Sequence, residues 1–399
     1  MYNFDQPIDR RHTNSVKWDE CSNPDVLPLW VADMDFATAP CVQEAIVRRA
    51  THGCYGYTIV PDAYYAAICD WFATRHQWNI DPQHILYTIG VIPAIAAVLK
   101  AQCQVGDNVV ILTPVYNMFF NLVRNAGCQV LEVPVLGELA PTDNTWRYDI
   151  DWEQLESALA REKTTTLLFC NPHNPIGRIW SDEELLRVAQ LCAQHHVTLI
   201  SDEIHNEITA PNRLYHPMAR VVASALEKDS ALADLRYVVC LSPSKSFNIA
   251  GLQNAFLVCP DDEMRRRIDH AINLNETCDV NPFGVEAVIA AYTEGGEWLD
   301  ELRSYIYDNY LLARKELALP CAELQGTYLL WVDCRAVCQR WGIDSHELAR
   351  RLLIDAKVWF SVGSDYGRAG EGFLRINLAC THATLQEALR RFNEYIAQH

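Results

Sequence analysis

No Cys-x-x-Cys pair occurs in this chain, although it holds 15 cysteines. Cys334 and Cys338 are the closest two, and neither has a histidine partner at zinc-finger spacing. The odd number and the scatter argue against a disulfide framework, and no metal site is expected. Most of the thiols fall inside apolar runs, as at Phe169-Cys170 and Val239-Cys240. They are expected to be small buried hydrophobes in a reducing compartment. Basic charge is scarce as well: 33 Lys plus Arg stand against 51 Asp plus Glu, a formal net charge of -18. Such a surface repels nucleic acid and anionic lipid in bulk, which leaves a small-molecule site as the first expectation. The local basic patch Arg265-Arg266-Arg267 reads as a solvated helix face. The start, Met1 to Asp5, lacks a basic region followed by an apolar one, so no signal peptide is expected. No uncharged apolar run approaches the roughly 18 residues of a membrane span. Repeats and low-complexity tracts are missing too. The expected setting is the cytoplasm.

What is present is a long alternation of apolar strands and helices. Ile85 to Ile89, Asn108 to Leu112, Gln129 to Val135, Thr165 to Cys170, Val197 to Ser201, Tyr237 to Leu241 and Asn254 to Cys259 all read as buried strands. Ser181-Asp182-Glu183-Glu184 is a capping box opening a helix to about His195. Continuous apolar strands separated by helices predict a mostly parallel sheet covered on both faces. After about residue 283 the pattern changes. Long helices, 297–319 and 344–356, flank shorter strands at 327–334, 358–362 and 373–379, and Thr381 caps a last helix. This reads as a smaller α+β unit.

Tyr116, Asn174, Asp202 and Lys245 each lie just past the C-terminal end of a predicted strand, and ligands of open α/β sheets bind at that edge. Lys245 stands between Ser244 and Ser246, just beyond an apolar run. Desolvation there lowers a lysine's pKa and frees the amine for Schiff-base chemistry. Together the types suit a pyridoxal phosphate ring. Lys245 would carry the aldehyde carbon and Asp202 would keep the ring nitrogen protonated. Asn174 would donate to the phenolic oxygen, and Tyr116 would stack on the ring. The turn Gly90-Val91-Ile92 opens a helix whose free N–H groups suit the phosphate, with the Ser242 hydroxyl beside them. Singly, each has a plainer reading: Asp202 as a helix cap, Asn174 as a turn residue, Tyr116 as a core aromatic. Arg375 is a charge inside the apolar strand Phe373-Leu374-Arg375-Ile376-Asn377. It pairs either with a structural carboxylate or with a substrate's.

The stretches Ala32-Asp33-Met34-Asp35-Phe36, Asn171 to Gly177, Ser201 to His205 and Ser244 to Asn248 carry a resemblance that runs nearly end to end. The chain resembles fold-type I pyridoxal phosphate enzymes of the aminotransferase class I/II superfamily, and within them the MalY/PatB-type cystathionine β-lyases. The resemblance implies an aspartate aminotransferase-like fold. Its seven-stranded-type sheet would be the pyridoxal phosphate-binding domain (47–284), with the small α+β domain at 285–399 and an N-terminal segment, 1–46, packing on the small domain. Aminotransferases of the superfamily usually carry a tyrosine where His205 stands, and a phosphate-binding arginine where this chain has Gln253. Tyr57 is implied to reach the phosphate of a neighbouring subunit, hence a homodimer with shared sites.

The implied reaction is β-elimination from L-cystathionine or a related L-cysteine S-conjugate, giving a thiol, pyruvate and ammonia, with Lys245 as general base. Transamination uses nearly the same residues and is the alternative. A reading of another class, a regulator that binds a transcription activator, is implied by the resemblance alone, and no residue pattern here encodes such a surface.

Overall fold

The computed structural model describes residues 2–211, 213–226, 230–274 and 279–399. The seven apolar runs form one sheet in the order Ile85–Thr88, Ala255–Val258, Tyr237–Leu241, Thr198–Asp202, Thr164–Cys170, Asn108–Thr113, Gln129–Pro134. Ala255–Val258 runs antiparallel to both neighbours, and the other pairings are parallel. Successive side chains of a strand point to opposite faces, and here each face has its own core. Val110, Leu112, Leu167, Phe169, Leu199 and Val239 enter one. Val109, Ile111, Leu168, Ile200, Val238 and Leu257 enter the other, under the helices Val91–Gln102 and Asp262–Asn273. Burial on both sides is why these strands read as unbroken apolar runs.

The capping box forms as the spacing predicts. Ser181 Oγ accepts from the Glu184 N–H at 3.3 Å, and Glu184 Oε2 accepts from the Ser181 N–H at 2.7 Å. It opens the helix Asp182–Gln194. The C-terminal ends of Asn108–Thr113, Thr164–Cys170, Thr198–Asp202 and Tyr237–Leu241 share one edge because these four strands are parallel neighbours.

A second sheet has six strands in the order Ser361–Val362, Phe373–Asn377, Leu329–Asp333, Cys321–Ala322, Thr145–Asp149, Leu136–Ala140. The last two form a hairpin absent from the sequence reading. Four of the five residues of Leu136–Ala140 are exposed and Gly137 interrupts its pattern, so it carries little hydrophobic signal. The hairpin crosses from the first sheet's part of the chain and pairs with Cys321–Ala322. The strand expected over 358–362 is split. Val358–Trp359 pairs with Leu27–Pro28, which ties the N-terminal segment to this half, and only Ser361–Val362 joins the second sheet. The helix expected over 344–356 is α over Ser345–Arg351 and continues as a π turn to Ala356.

Candidate active site

A cavity of about 190 Å³ opens at the C-terminal edge of the first sheet, lined by Val91, Ile92, Tyr116, Asn174, Asp202, His205 and Lys245 among others. Five short connections bring these residues together. Lys245 follows the strand Tyr237–Leu241 by four residues, in a turn closed by the Phe247 N–H to the Pro243 carbonyl at 2.9 Å. Lys245 is partly buried, and its amine donates to the Ala32 carbonyl at 2.7 Å. Desolvation brings its pKa down to about 8, against the pull of Asp33 and Asp202 and with help from Arg375. No carboxylate lies within ion-pairing distance of it among the described residues.

Asp202 is buried, and its Oδ1 accepts from the Ile204 N–H at 3.1 Å. Burial pushes its pKa up to about 7, although that N–H and the nearby Lys245 favour the anion. Such a carboxyl is a ready partner for a ligand cation, and a protonated pyridine nitrogen is one. His205 is buried edge-on to Tyr328, with ring centroids 5.7 Å apart. Burial first, then the charges of Lys245 and Arg375, hold its pKa near 3, so its ring is neutral.

Arg375 is 4% exposed and has no carboxylate partner among the described residues. Nη1 donates to Asn174 Oδ1 at 3.1 Å, and Nη2 donates to the Trp30 carbonyl at 2.8 Å and to Ser361 Oγ at 3.2 Å. Its carbon sits 4.9 Å from the Tyr366 ring centroid, and Nε has no partner. A buried guanidinium held only by neutral acceptors keeps the capacity to take an anion. This removes the structural salt bridge as the explanation of Arg375.

At the other end of the cavity, the helix Val91–Gln102 points its N-terminus inward. The Val91 and Ile92 N–H groups have no partner inside the helix by construction, and the helix dipole favours an anion there. Ser242 lies in the turn that carries Lys245. Its hydroxyl donates to the Asn254 carbonyl at 2.7 Å and accepts from the Ser244 N–H at 3.0 Å. It braces the lysine turn, and Ser244 lines the cavity. Tyr57 is fully exposed and does not line its own chain's cavity. Gln253 lines the cavity where an arginine was noted as usual, so Lys245 is the sole cation among the lining residues.

Pyridoxal phosphate fits these donors. An amine of lowered pKa, a buried carboxyl lacking a cation, a neutral amide and a helix N-terminus all face one space. The sequence reading missed Ala32, whose carbonyl takes both Lys245 and the Tyr328 hydroxyl, the latter at 3.0 Å. No side-chain pattern marks a carbonyl. Ser244 was legible, since it adjoins Lys245.

The model of the family described as aminotransferase class I and II matches residues 24–392. The chain is 39% identical to cystathionine β-lyase PatB of Bacillus subtilis (strain 168), over 98% of each chain. It is 34% identical to protein MalY of Escherichia coli (strain K12), over 98% of this chain and 97% of that one. Cystalysin from Treponema denticola, solved with a pyridoxal 5'-phosphate cofactor, superposes with a TM-score of 0.91 at 30% identity, covering 100% of this chain and 99% of the other.

Proposed function

The chain belongs to the aminotransferase class I and II family, and from that premise we propose that it is a pyridoxal phosphate-dependent carbon–sulfur β-lyase acting on L-cystathionine or related S-conjugates of L-cysteine. Similarity to PatB over nearly the whole chain supports the reaction class. The observation that carries the reading is the cavity that gathers the Lys245 amine and the Asp202 carboxyl, beside an arginine with no counter-anion among the described residues.

The residues divide the work by chemistry. Lys245 would hold the cofactor, with Asp202 on its ring nitrogen, Asn174 on its phenolic oxygen and Tyr116 on its face. Val91, Ile92 and Ser242, with Ser244 beside them, would hold its phosphate. When bound, the cofactor supplies an electron sink that stabilises negative charge at the substrate's Cα. Arg375 takes the substrate carboxylate in its planar fork and so fixes where Cα sits. The Lys245 Nζ, with a pKa near 8, is free amine in part at neutral pH and removes the Cα proton. Asp202 stays anionic beside a cationic ring nitrogen. His205, neutral throughout, adds no competing charge. The sulfur leaves with the electron pair of the Cβ–S bond and is protonated to the thiol. With one water consumed, the remaining carbons leave as pyruvate and the nitrogen as ammonia.

A homodimer in the cytoplasm is part of the proposal. Tyr57 lies on the irregular segment 53–60 with its side chain fully exposed, and exposed Tyr55 and Ile59 flank it. Tyr57 of the partner subunit would complete the phosphate end that Gln253 leaves without a cation. We keep 47–284 and 285–399 as the large and small domains, with 1–46 packed on the small one. Sedimentation tests the dimer.

The reaction is tested by incubating the enzyme with cystathionine and assaying thiol and pyruvate. Equal amounts of both support it. A new amino acid formed at high turnover from added keto acid, with pyridoxamine phosphate and no pyruvate, would identify a transaminase instead.

A further inference from the structure

The segment Trp30 to Phe36 has neither helix nor strand, yet its carbonyls are held in succession. Irregular buried backbone must find partners, and here both halves of the molecule provide side chains. Arg375 takes the Trp30 carbonyl at 2.8 Å. Asn377 takes those of Val31 and Asp33, each at 2.6 Å. Asn248 takes those of Met34 and Phe36 at 3.0 and 2.8 Å. Between them, the Ala32 carbonyl takes Lys245 and Tyr328. The strap therefore crosses the cavity in contact with the reactive amine.

The strap's acidic side chains meet two cations from the N-terminal segment. Arg10 forks onto Asp33, with Nη1–Oδ1 at 3.0 Å and Nη2–Oδ2 at 2.6 Å, and also reaches Asp35 Oδ1 at 2.9 Å. Lys17 Nζ lies 2.8 Å from Asp35 Oδ2 and 3.7 Å from Asp33 Oδ1. Trp18 Nε1 donates to Asp35 Oδ1 at 2.8 Å.

We propose that Arg10 is a positioning residue for Lys245: its clamp on Asp33 sets the strap, keeps the Ala32 carbonyl on the Lys245 amine, and neutralises the Asp33 charge that faces it. An amine with one N–H held by a carbonyl has its lone pair directed elsewhere. Imine formation and proton abstraction both use that lone pair. The charges facing Lys245 are Asp33 on the strap, Asp202 on its strand and Arg375 on the second sheet, with His205, Tyr116 and Tyr328 as the other titratable neighbours. Asp33 and Asp202 favour the ammonium form, and Arg375 opposes it. Without Arg10, Asp33 acts on Lys245 with only Lys17 to offset it, so the free amine becomes scarcer at neutral pH.

The functional meaning rests on Lys245 being the cofactor lysine, but the test needs no cofactor. Full-length chain freed of cofactor is labelled with trace acetic anhydride across a pH series, and acetylation at Lys245 is followed by mass spectrometry. Arg10→Met should move the labelling midpoint upward and cut reactivity at neutral pH by about 3- to 10-fold, since one unit is tenfold. Arg10→Lys should recover part of the loss, and Arg10→Met with Asp33→Asn should bring the midpoint back down. A structural role alone would lower thermal stability and leave the midpoint where it was, which would overturn the proposal. If Arg10→Met fails to fold, Asp33→Asn serves alone. It should lower the midpoint, and an unchanged or raised one sinks the idea equally. Pyridoxal phosphate added to the wild type separates the two claims, because a chain that takes up none refutes the cofactor reading and leaves the labelling result to judge Arg10.

Discussion

Two lysines contact the Trp30–Phe36 strap, one fully buried and one at the cavity, and they are built for opposite ends. The Lys17 side chain is fully buried against Asp35 and Asp33. Lys245 faces a carbonyl and a cavity, with no carboxylate in ion-pairing range among the described residues. A buried cation paired with its counter-anions serves the fold. One that lacks them is pushed toward the neutral amine and can react. The same residue type is thus structural or chemical according to what the chain folds against it.

Breaking the reactive side of this pair should have the largest effect. Lys245→Ala is expected to lower turnover by at least about 10³-fold, as removal of a base that is also the covalent anchor implies. Pyruvate release from cystathionine measures it, and wild-type turnover in that variant would end the mechanism. Breaking the structural side should instead appear in stability. Lys17→Met leaves Asp35 Oδ2 without its buried partner, while Arg10 and Trp18 still hold Oδ1, and should cost about 1–3 kcal/mol in a denaturant titration. A loss below about 1 kcal/mol would mean that the pair is not a structural lock.

Asp202 sharpens the contrast, since it is a buried carboxyl with no cation in ion-pairing range among the described residues. Its folded pKa of about 7 lies above the unfolded value, so the cofactor-free fold binds this proton more tightly than the unfolded chain. The stability it contributes is present below the unfolded value near 4 and is lost as pH rises through about 7. Asp202→Asn should therefore stabilise the cofactor-free protein by about 1–4 kcal/mol at pH 8 and by little at pH 4, while turnover is lost. Melting curves at the two pH values check the sign. The smallest effect is expected at Tyr57. Tyr57→Phe should weaken cofactor binding by about 2- to 12-fold, the value of one hydrogen bond, as read by equilibrium dialysis. An unchanged affinity would remove Tyr57 from the phosphate site.

Legibility followed the range of the interactions. The strands of the first sheet were readable because burial on both faces leaves an uninterrupted apolar run, as in Val109 to Leu112 and Val238 to Leu241. The Ser181 box was readable because its two hydrogen bonds span only three residues. Lys245, Asp202, Asn174 and Tyr116 were legible as a set because parallel strands align their C-terminal ends. The 136–149 hairpin was not, since exposed Leu136 and Leu139 and the break at Gly137 leave no clear alternation. Ser242 was legible as a hydroxyl beside the lysine turn, but its hold on the Asn254 carbonyl, 12 residues on, was not.

Local chemistry in the sequence was enough to specify the strands, the caps and the types of group that reach the sheet edge, since each depends on neighbours a few residues away. The tertiary structure alone decided which lysine is neutralised and which is left reactive. That choice depends on charges and carbonyls brought together across the fold: Asp35 lies 18 residues from Lys17, and Ala32 lies 213 residues from Lys245. Desolvation and Coulomb forces act through space, and a backbone carbonyl has no letter of its own in a sequence.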